Sequence, residues 1–298
     1  MAFASTQYDT IGDKYNDIKV LPFSFYERAN VRAAVQPYLD ANPSAAVLDL
    51  ACGTGFISRS LVEWGARYVL GVDISVGMIE AARADGRGQG GGGGGGDDDD
   101  GDNGGRLRYV VGDAKGLGRL DWEGNEIGHA GEEGAGEGEG KGQFDIVVGT
   151  WLLNYAEDTV EMAKMWRSIV TNLKDGGVFI GTVPRAADDL DGLVARKARF
   201  NAEHPGYFGA TWEHPHKLAN GEGYLGRMRG HGTRPFVFEW YHLRKEIHEV
   251  AARRAGMTGR FEWRQLVLEE EDRRRASEEY WERYEQMCGH FSILVAHK

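Results

Sequence analysis

Short, almost unbroken apolar runs recur along this chain, separated by stretches whose apolar residues return every three or four positions. The runs Ala45–Leu50, Tyr68–Val72, Leu107–Val111, Phe144–Gly149 and Val178–Val183 have the length and continuity of strands buried on both faces. Between them the helical rhythm predicts helices over Ile57–Trp64, from Ser75 through Met78, Ile79 and Ala82, and over Thr159–Leu173. In the last of these, Met162, Met165, Trp166, Ile169, Val170 and Leu173 make one apolar stripe, which Asp175-Gly176-Gly177 ends. An earlier helix is predicted over Ser24–Tyr38, with Ser24 as its cap and Glu27 at the capping-box position. A helix near Leu243–Ala255 and two strands, Phe261–Leu268 and Phe291–His297, close the pattern around the charged segment Glu269–Arg283. The fold class is therefore α/β, a doubly wound, seven-stranded, mostly parallel and Rossmann-like sheet with a late antiparallel pair.

Three stretches break this rhythm. Residues 185–242 are rich in His, Gly, Arg and aromatics, with short strand candidates at Gly223–Met228 and Pro235–Tyr241, and read as a substrate cap inserted in one 298-residue domain. Residues 86–105 hold twelve Gly and five Asp, and residues 128–142 hold seven Gly and four Glu. Such tracts have too little apolar surface to offset their ordering entropy and are expected to be disordered loops. They carry −7 of the formal charge of −11, so the rest of the chain holds only about −4. That balance argues against a protein that grips nucleic acid by neutralising phosphates.

Cys52 and Cys288 give neither a disulfide framework nor a zinc set, and no metal is expected. The N-terminal stretch lacks the basic-then-apolar pattern of a secretory signal, and no run of roughly 18 apolar residues is present. A cytoplasmic protein away from membranes is the expectation, and the pattern implies no particular oligomer.

The chemistry concentrates where the first strand ends, at Asp49-Leu50-Ala51-Cys52-Gly53-Thr54-Gly55. Gly53 and Gly55 permit a tight turn and let a ligand approach main-chain N–H groups, and the following helix aims its N-terminus at the same place. A dinucleotide loop wants Gly or Ala three residues after Gly55, where this chain has Ser58. Asp49 would repel a pyrophosphate but suits a cationic amino-acid ligand. Asp73, 18 residues beyond Gly55, stands where an acid can accept hydrogen bonds from ribose hydroxyls.

Val47–Gly55 resembles motif I of class I S-adenosylmethionine-dependent methyltransferases, and Gly71-Val72-Asp73-Ile74-Ser75 their second-strand motif. Gly112-Asp113-Ala114, Phe144–Val148 and Leu173–Gly177 resemble the third, fourth and fifth. The N-terminal Tyr8–Tyr15 pattern, Trp151–Ala156 and Glu239–Leu243 are similar to the toxoflavin methyltransferase-like subgroup, whose members modify small molecules. The resemblance implies S-adenosyl-L-methionine as cofactor and a small-molecule acceptor. It implies that Asp49 orients the methionyl amino group, that Ala51, Gly53 and Gly55 pack along the cofactor, and that Asp73 holds the ribose. Ile74 and Met78 would line the adenine, Asp113 and Ala114 bond its amino group, Thr150 complete the wall, and Tyr8 and Tyr15 close over the methyl donor.

Methyl transfer needs alignment and a dry pocket more than a base. Trp151, Asn154 and Tyr155 are expected to face the acceptor, with Tyr224, Tyr241 and His242 reaching in from the cap. His242 is the candidate base, with Tyr241 and Asn154 beside it. His204, His214, His216 and His231 lack a completing carboxylate or thiolate for a metal. The expected function is small-molecule N- or O-methylation. The alternatives are a non-catalytic S-adenosylmethionine-binding module and an NAD(P)-dependent oxidoreductase.

Overall fold

The computed structural model describes residue 7 and residues 16–87, 105–127 and 142–298. Tyr8 and Tyr15, and most of the two Gly-rich tracts, lie outside the described residues. Strands β1 (Ala46–Leu50), β2 (Tyr68–Asp73), β3 (Leu107–Val111), β4 (Phe144–Thr150), β5 (Leu173–Pro184), β9 (Phe261–Arg264) and β10 (Phe291–His297) form one sheet in the order β3-β2-β1-β4-β5-β10-β9. The pairs from β3 to β5 are parallel, and β10 runs antiparallel between β5 and β9. The seven-stranded, doubly wound expectation holds.

Strand alternation divides the core. Val47, Ile146, Val148, Ile180 and Ile293 face helices α1 (Pro22–Ala41) and α2 (Phe56–Glu63). Leu48, Leu50, Val147, Phe179 and Leu294 face α4 (Thr159–Asn172), which follows α3 (Val76–Arg87). Trp166 of α4 is fully buried against Phe179 at 4.7 Å between ring centres. The stripe read from the sequence is core packing.

Helix α1 begins earlier than expected. Pro22 occupies its first turn, where a missing N–H costs nothing, and the cap residue is Leu21. Ser24 lies inside the helix and donates to the Ile18 carbonyl at 2.7 Å, so no capping box forms. Glu27 turns inward instead. Ser75 does cap α3, accepting from Met78 N at 3.2 Å.

Residues 185–243 contain more structure than their composition suggests. Helix α5 (Leu190–Glu203), capped by Asp189, leads to an antiparallel sheet of β6 (Ala210–Lys217), β7 (Gly223–Gly230) and β8 (Phe236–Leu243). The sequence hid α5 because Lys197 interrupts its buried stripe of Leu190, Leu193 and Phe200. It hid β6 because a register shift between Glu213 and His216 accommodates Pro215. On β8, Phe236, Phe238 and Trp240 turn into the core shared with α1, while Val237 and Glu239 face out. The chain continues through α6 (Lys245–Arg254), whose Ala251 and Ala252 pack in the α4 layer, and through α7 (Glu278–Gln286) before β10. No helix among the described residues is long and apolar enough to cross a membrane.

Candidate functional site

The β1–α2 turn is built by three alternate left-handed positions, Ala51 (φ 61°), Gly53 (φ 55°) and Gly55 (φ 78°). Ala51 pays a steric cost there that glycine would not. The neighbouring backbone is pinned, since Cys52 N donates to the Val72 carbonyl at 3.1 Å and Gly53 N donates to Asp73 Oδ2 at 2.8 Å. The two glycines serve different ends. Gly53 has open space where a side chain would stand, and it lines a cavity. At Gly55 a Cβ would collide with the Tyr109 hydroxyl, and this residue does not line the cavity.

That cavity, of about 500 Å³, opens at the carboxyl ends of β1, β2 and β4. Ala51, Gly53, Asp73, Ile74, Met78, Asp113, Ala114 and Thr150, all candidates for holding the cofactor, line it. Gln7, Lys115, Leu152 and Met165 join them without having been expected. Asp73 also accepts from Ser75 N at 2.9 Å, and Asp113 accepts from Lys115 N at 2.9 Å, so both carboxylates are held in place by backbone. A carboxylate oxygen can accept more than one hydrogen bond, so hydroxyl or amino donors suit both groups. Asp49 lies deeper. It is fully buried, accepts from Ser58 Oγ at 2.5 Å through Oδ2, and its Oδ1 has no partner among the described residues. Burial pushes its carboxyl up to about 7 despite the Ser58 bond, and the nearby Asp73 charge adds to the shift. Asp145 of the fourth motif serves the sheet, accepting from Ala46 N and Lys174 Nζ, both at 2.9 Å.

A second, narrow cleft adjoins the first, and Trp151 and Tyr155 belong to both. Trp151 has φ 62°, a strained value for a bulky residue, and its Nε1 donates to Glu27 Oε1 at 2.7 Å. Phe23, Glu27, Asn154, Trp212, Trp240 and His290 supply most of the remaining wall. His290 is stacked between Trp151, at 5.6 Å and 11°, and Trp212, at 4.8 Å and 22°. Burial would raise the Glu27 carboxyl, but His290, Lys19 and Trp151 outweigh it and hold the group below its ordinary range. Burial pushes the His290 imidazole down, against the pull of Glu27.

Of the expected acceptor residues, Asn154 and Tyr155 reach this cleft, and His242 does not. His242 is buried with both ring nitrogens engaged, at 2.9 Å from His214 Nε2 and 2.9 Å from the Arg185 carbonyl. Burial lowers its imidazole well below the usual range, so it is a packing histidine rather than a base facing a ligand. Tyr241 points away from Trp240 on the same strand, toward Glu157, and lines neither cavity. Tyr224 is tied to Asp191 at 2.5 Å. The sequence reading missed Glu27 and His290. An acid on the apolar stripe of α1 and a histidine immediately before the buried strand β10 were the available signals. Among the described residues, no group of three or more His, Cys, Asp or Glu is placed to hold a metal.

This fold, with a glycine turn and carboxylate-lined cavity at the switch of strand order, defines a class I S-adenosylmethionine-dependent methyltransferase. Residues 24–216 match the family model described as a methyltransferase domain, and the chain belongs to that family. It is 39% identical over 77 residues to demethylmenaquinone methyltransferase of Corynebacterium urealyticum, covering 26% of this chain and 33% of that protein. It is 34% identical over 152 residues to mRNA cap guanine-N(7) methyltransferase 1 of Arabidopsis thaliana, covering 50% and 35%. The matched parts thus span about a third of the length of these relatives. A Pyrococcus horikoshii protein of known structure shares the fold with a TM-score of 0.57 at 18% identity, covering 99% of both chains. Magnesium protoporphyrin IX methyltransferase from Synechocystis, solved with bound S-adenosylhomocysteine, superposes with a TM-score of 0.50 at 16% identity, covering 93% of this chain and 85% of that one.

Proposed function

We propose that this chain methylates a small organic acceptor held in the aromatic cleft, using S-adenosylmethionine held in the adjoining cavity. The observation that carries the proposal is that Trp151 and Tyr155 line both cavities, so that the two lie side by side. The cavity fits the cofactor in kind, with a side-chain-free approach at Gly53, ionisable acceptors at Asp73 and Asp113, and apolar Ile74, Met78 and Met165 for a flat base. The unpartnered Asp49 oxygen, behind the glycine turn, suits an ammonium group. When bound, S-adenosylmethionine supplies an electrophilic methyl group on a sulfonium. The chain's own part is to align the acceptor and exclude water, which the buried aromatic walls do.

Trp151–Ala156 and Glu239–Leu243 support membership of the toxoflavin methyltransferase-like subgroup. A second reading, an RNA cap acceptor, takes its support from the Arabidopsis relative's name. The narrowness of the cleft and the formal charge of −11 favour the small molecule. Methyl-labelled S-adenosylmethionine offered with a metabolite extract and, separately, with capped RNA tests the choice. Label appearing in a small metabolite supports the proposal. Label in RNA alone replaces it with the second reading, and label in neither favours a non-catalytic binder.

A further inference from the structure

The aromatic cleft contains an ionised carboxylate that alignment alone does not require. Glu27 is 6% exposed, and its oxygens meet Trp151 Nε1 at 2.7 Å and His290 Nε2 at 3.6 Å. His290 Nδ1 lies 2.5 Å from the Tyr284 hydroxyl, which can give it a proton. With Nδ1 accepting, a neutral ring carries its proton on Nε2 and points it at Glu27. The histidine is then a donor and Glu27 the anion. A buried anion is costly unless something balances it.

The rest of the wall selects the balancing partner. Phe23, Trp151, Trp212 and Trp240 line the same cleft as the carboxylate, and aromatic walls attract cations where a ring face is open to them. Asn154 adds a second acceptor, because its buried Oδ1 has no partner among the described residues. An anion and an amide oxygen inside an aromatic wall ask for a ligand that donates N–H bonds and carries positive charge.

We propose that the methyl acceptor is an amine, bound as its ammonium form against Glu27 and Asn154. This rests on the methyltransferase reading and narrows it to N-methylation. The ammonium first loses one proton to water, in the ordinary ammonium–amine equilibrium, which leaves the nitrogen lone pair free beside Glu27. Transfer then forms the nitrogen–carbon bond as the sulfonium–carbon bond breaks, leaving a neutral thioether and moving the positive charge onto nitrogen. The product is again an ammonium, whose charge Glu27 stabilises as it develops, and it leaves as the cation. A hydroxyl acceptor fits poorly: its oxyanion would be repelled by Glu27, and a carboxylate this stabilised is too weak a base to form it. Lys19 also lines the cleft and opposes a cation there. Removing its charge should strengthen ammonium binding.

The test titrates the full chain with benzylamine and its neutral counterpart benzyl alcohol at pH 7, following the fluorescence of the cleft tryptophans, with and without S-adenosylhomocysteine. Benzylamine is expected to bind at least tenfold more tightly, Glu27→Gln to abolish that preference, and Lys19→Met to enlarge it. Equal response to both probes, including no response to either, overturns the proposal, as does a preference that survives in Glu27→Gln. The wild-type comparison decides the matter even if the variant fails to fold. Failure to bind S-adenosylhomocysteine would instead strike the methyltransferase reading, since amine selectivity is also measured without it.

Discussion

The two adjoining cavities differ in how they are made. The donor cavity is assembled mainly from short, contiguous segments at strand ends, residues 51–53, 73–78, 112–115 and 150–155, with backbone groups fixing Asp73 and Asp113. The acceptor cleft takes scattered side chains from the approach to α1 and α1 itself, the segment after β4, strands β6, β7 and β8, and the residue before β10, spread from Ile18 to His290. Contiguous sites are readable as motifs, whereas a site made of scattered side chains exists only after folding. The first can stay constant while the second changes its ligand.

Four variants probe this contrast. The largest effect is expected at Asp49. Its folded carboxyl sits at about 7, above an unfolded value of about 3.9, so the folded state keeps a proton that the unfolded state releases. Stability therefore falls as pH rises through that window and is lowest above it. Asp49→Asn should stabilise the unliganded protein by on the order of 2–4 kcal/mol at pH 8, with the gain vanishing near pH 4, while weakening cofactor binding. Denaturant melts across pH, paired with S-adenosylhomocysteine titrations, check both halves.

Asp73→Ala should weaken S-adenosylhomocysteine binding by roughly 1–3 kcal/mol, the usual cost of buried polar groups left unpaired. Benzylamine binding should not change. A similar loss in both cavities would contradict their separate construction. His242→Gln should lower stability by about 1–3 kcal/mol, because it disturbs the His214 and Arg185 contacts, yet leave single-turnover methyl transfer unchanged. A rate loss that exceeds the loss of folded protein would restore His242 as a base. Deleting residues 86–105 should change neither binding nor turnover appreciably, since the candidate cofactor residues Asp49, Gly53, Asp73 and Asp113 all lie outside that tract. Loss of cofactor binding in the deletion would give the tract a role in the donor cavity.

Sequence periodicity was enough for the sheet, because strands buried on both faces and the Trp166 stripe leave clear rhythms. Asp73, Asp113 and the glycine turn were legible because their chemistry depends on local spacing. Gly55 was only half understood, since the reason for its missing side chain is Tyr109, 54 residues away. Glu27 was misread as a capping residue because helix starts are marked by the same residue types that line sites. His242 drew attention as a histidine near aromatics, and only three-dimensional placement showed both nitrogens occupied. His290 carried no local mark beyond its position before β10.

Calorimetric titration of the full chain with S-adenosylhomocysteine and, in parallel, with NAD tests the central claim most directly. Saturable binding of S-adenosylhomocysteine with no heat from NAD is the predicted result. Tight binding of NAD with no response to S-adenosylhomocysteine would contradict it, and would turn the glycine turn at 51–55 back into a dinucleotide loop.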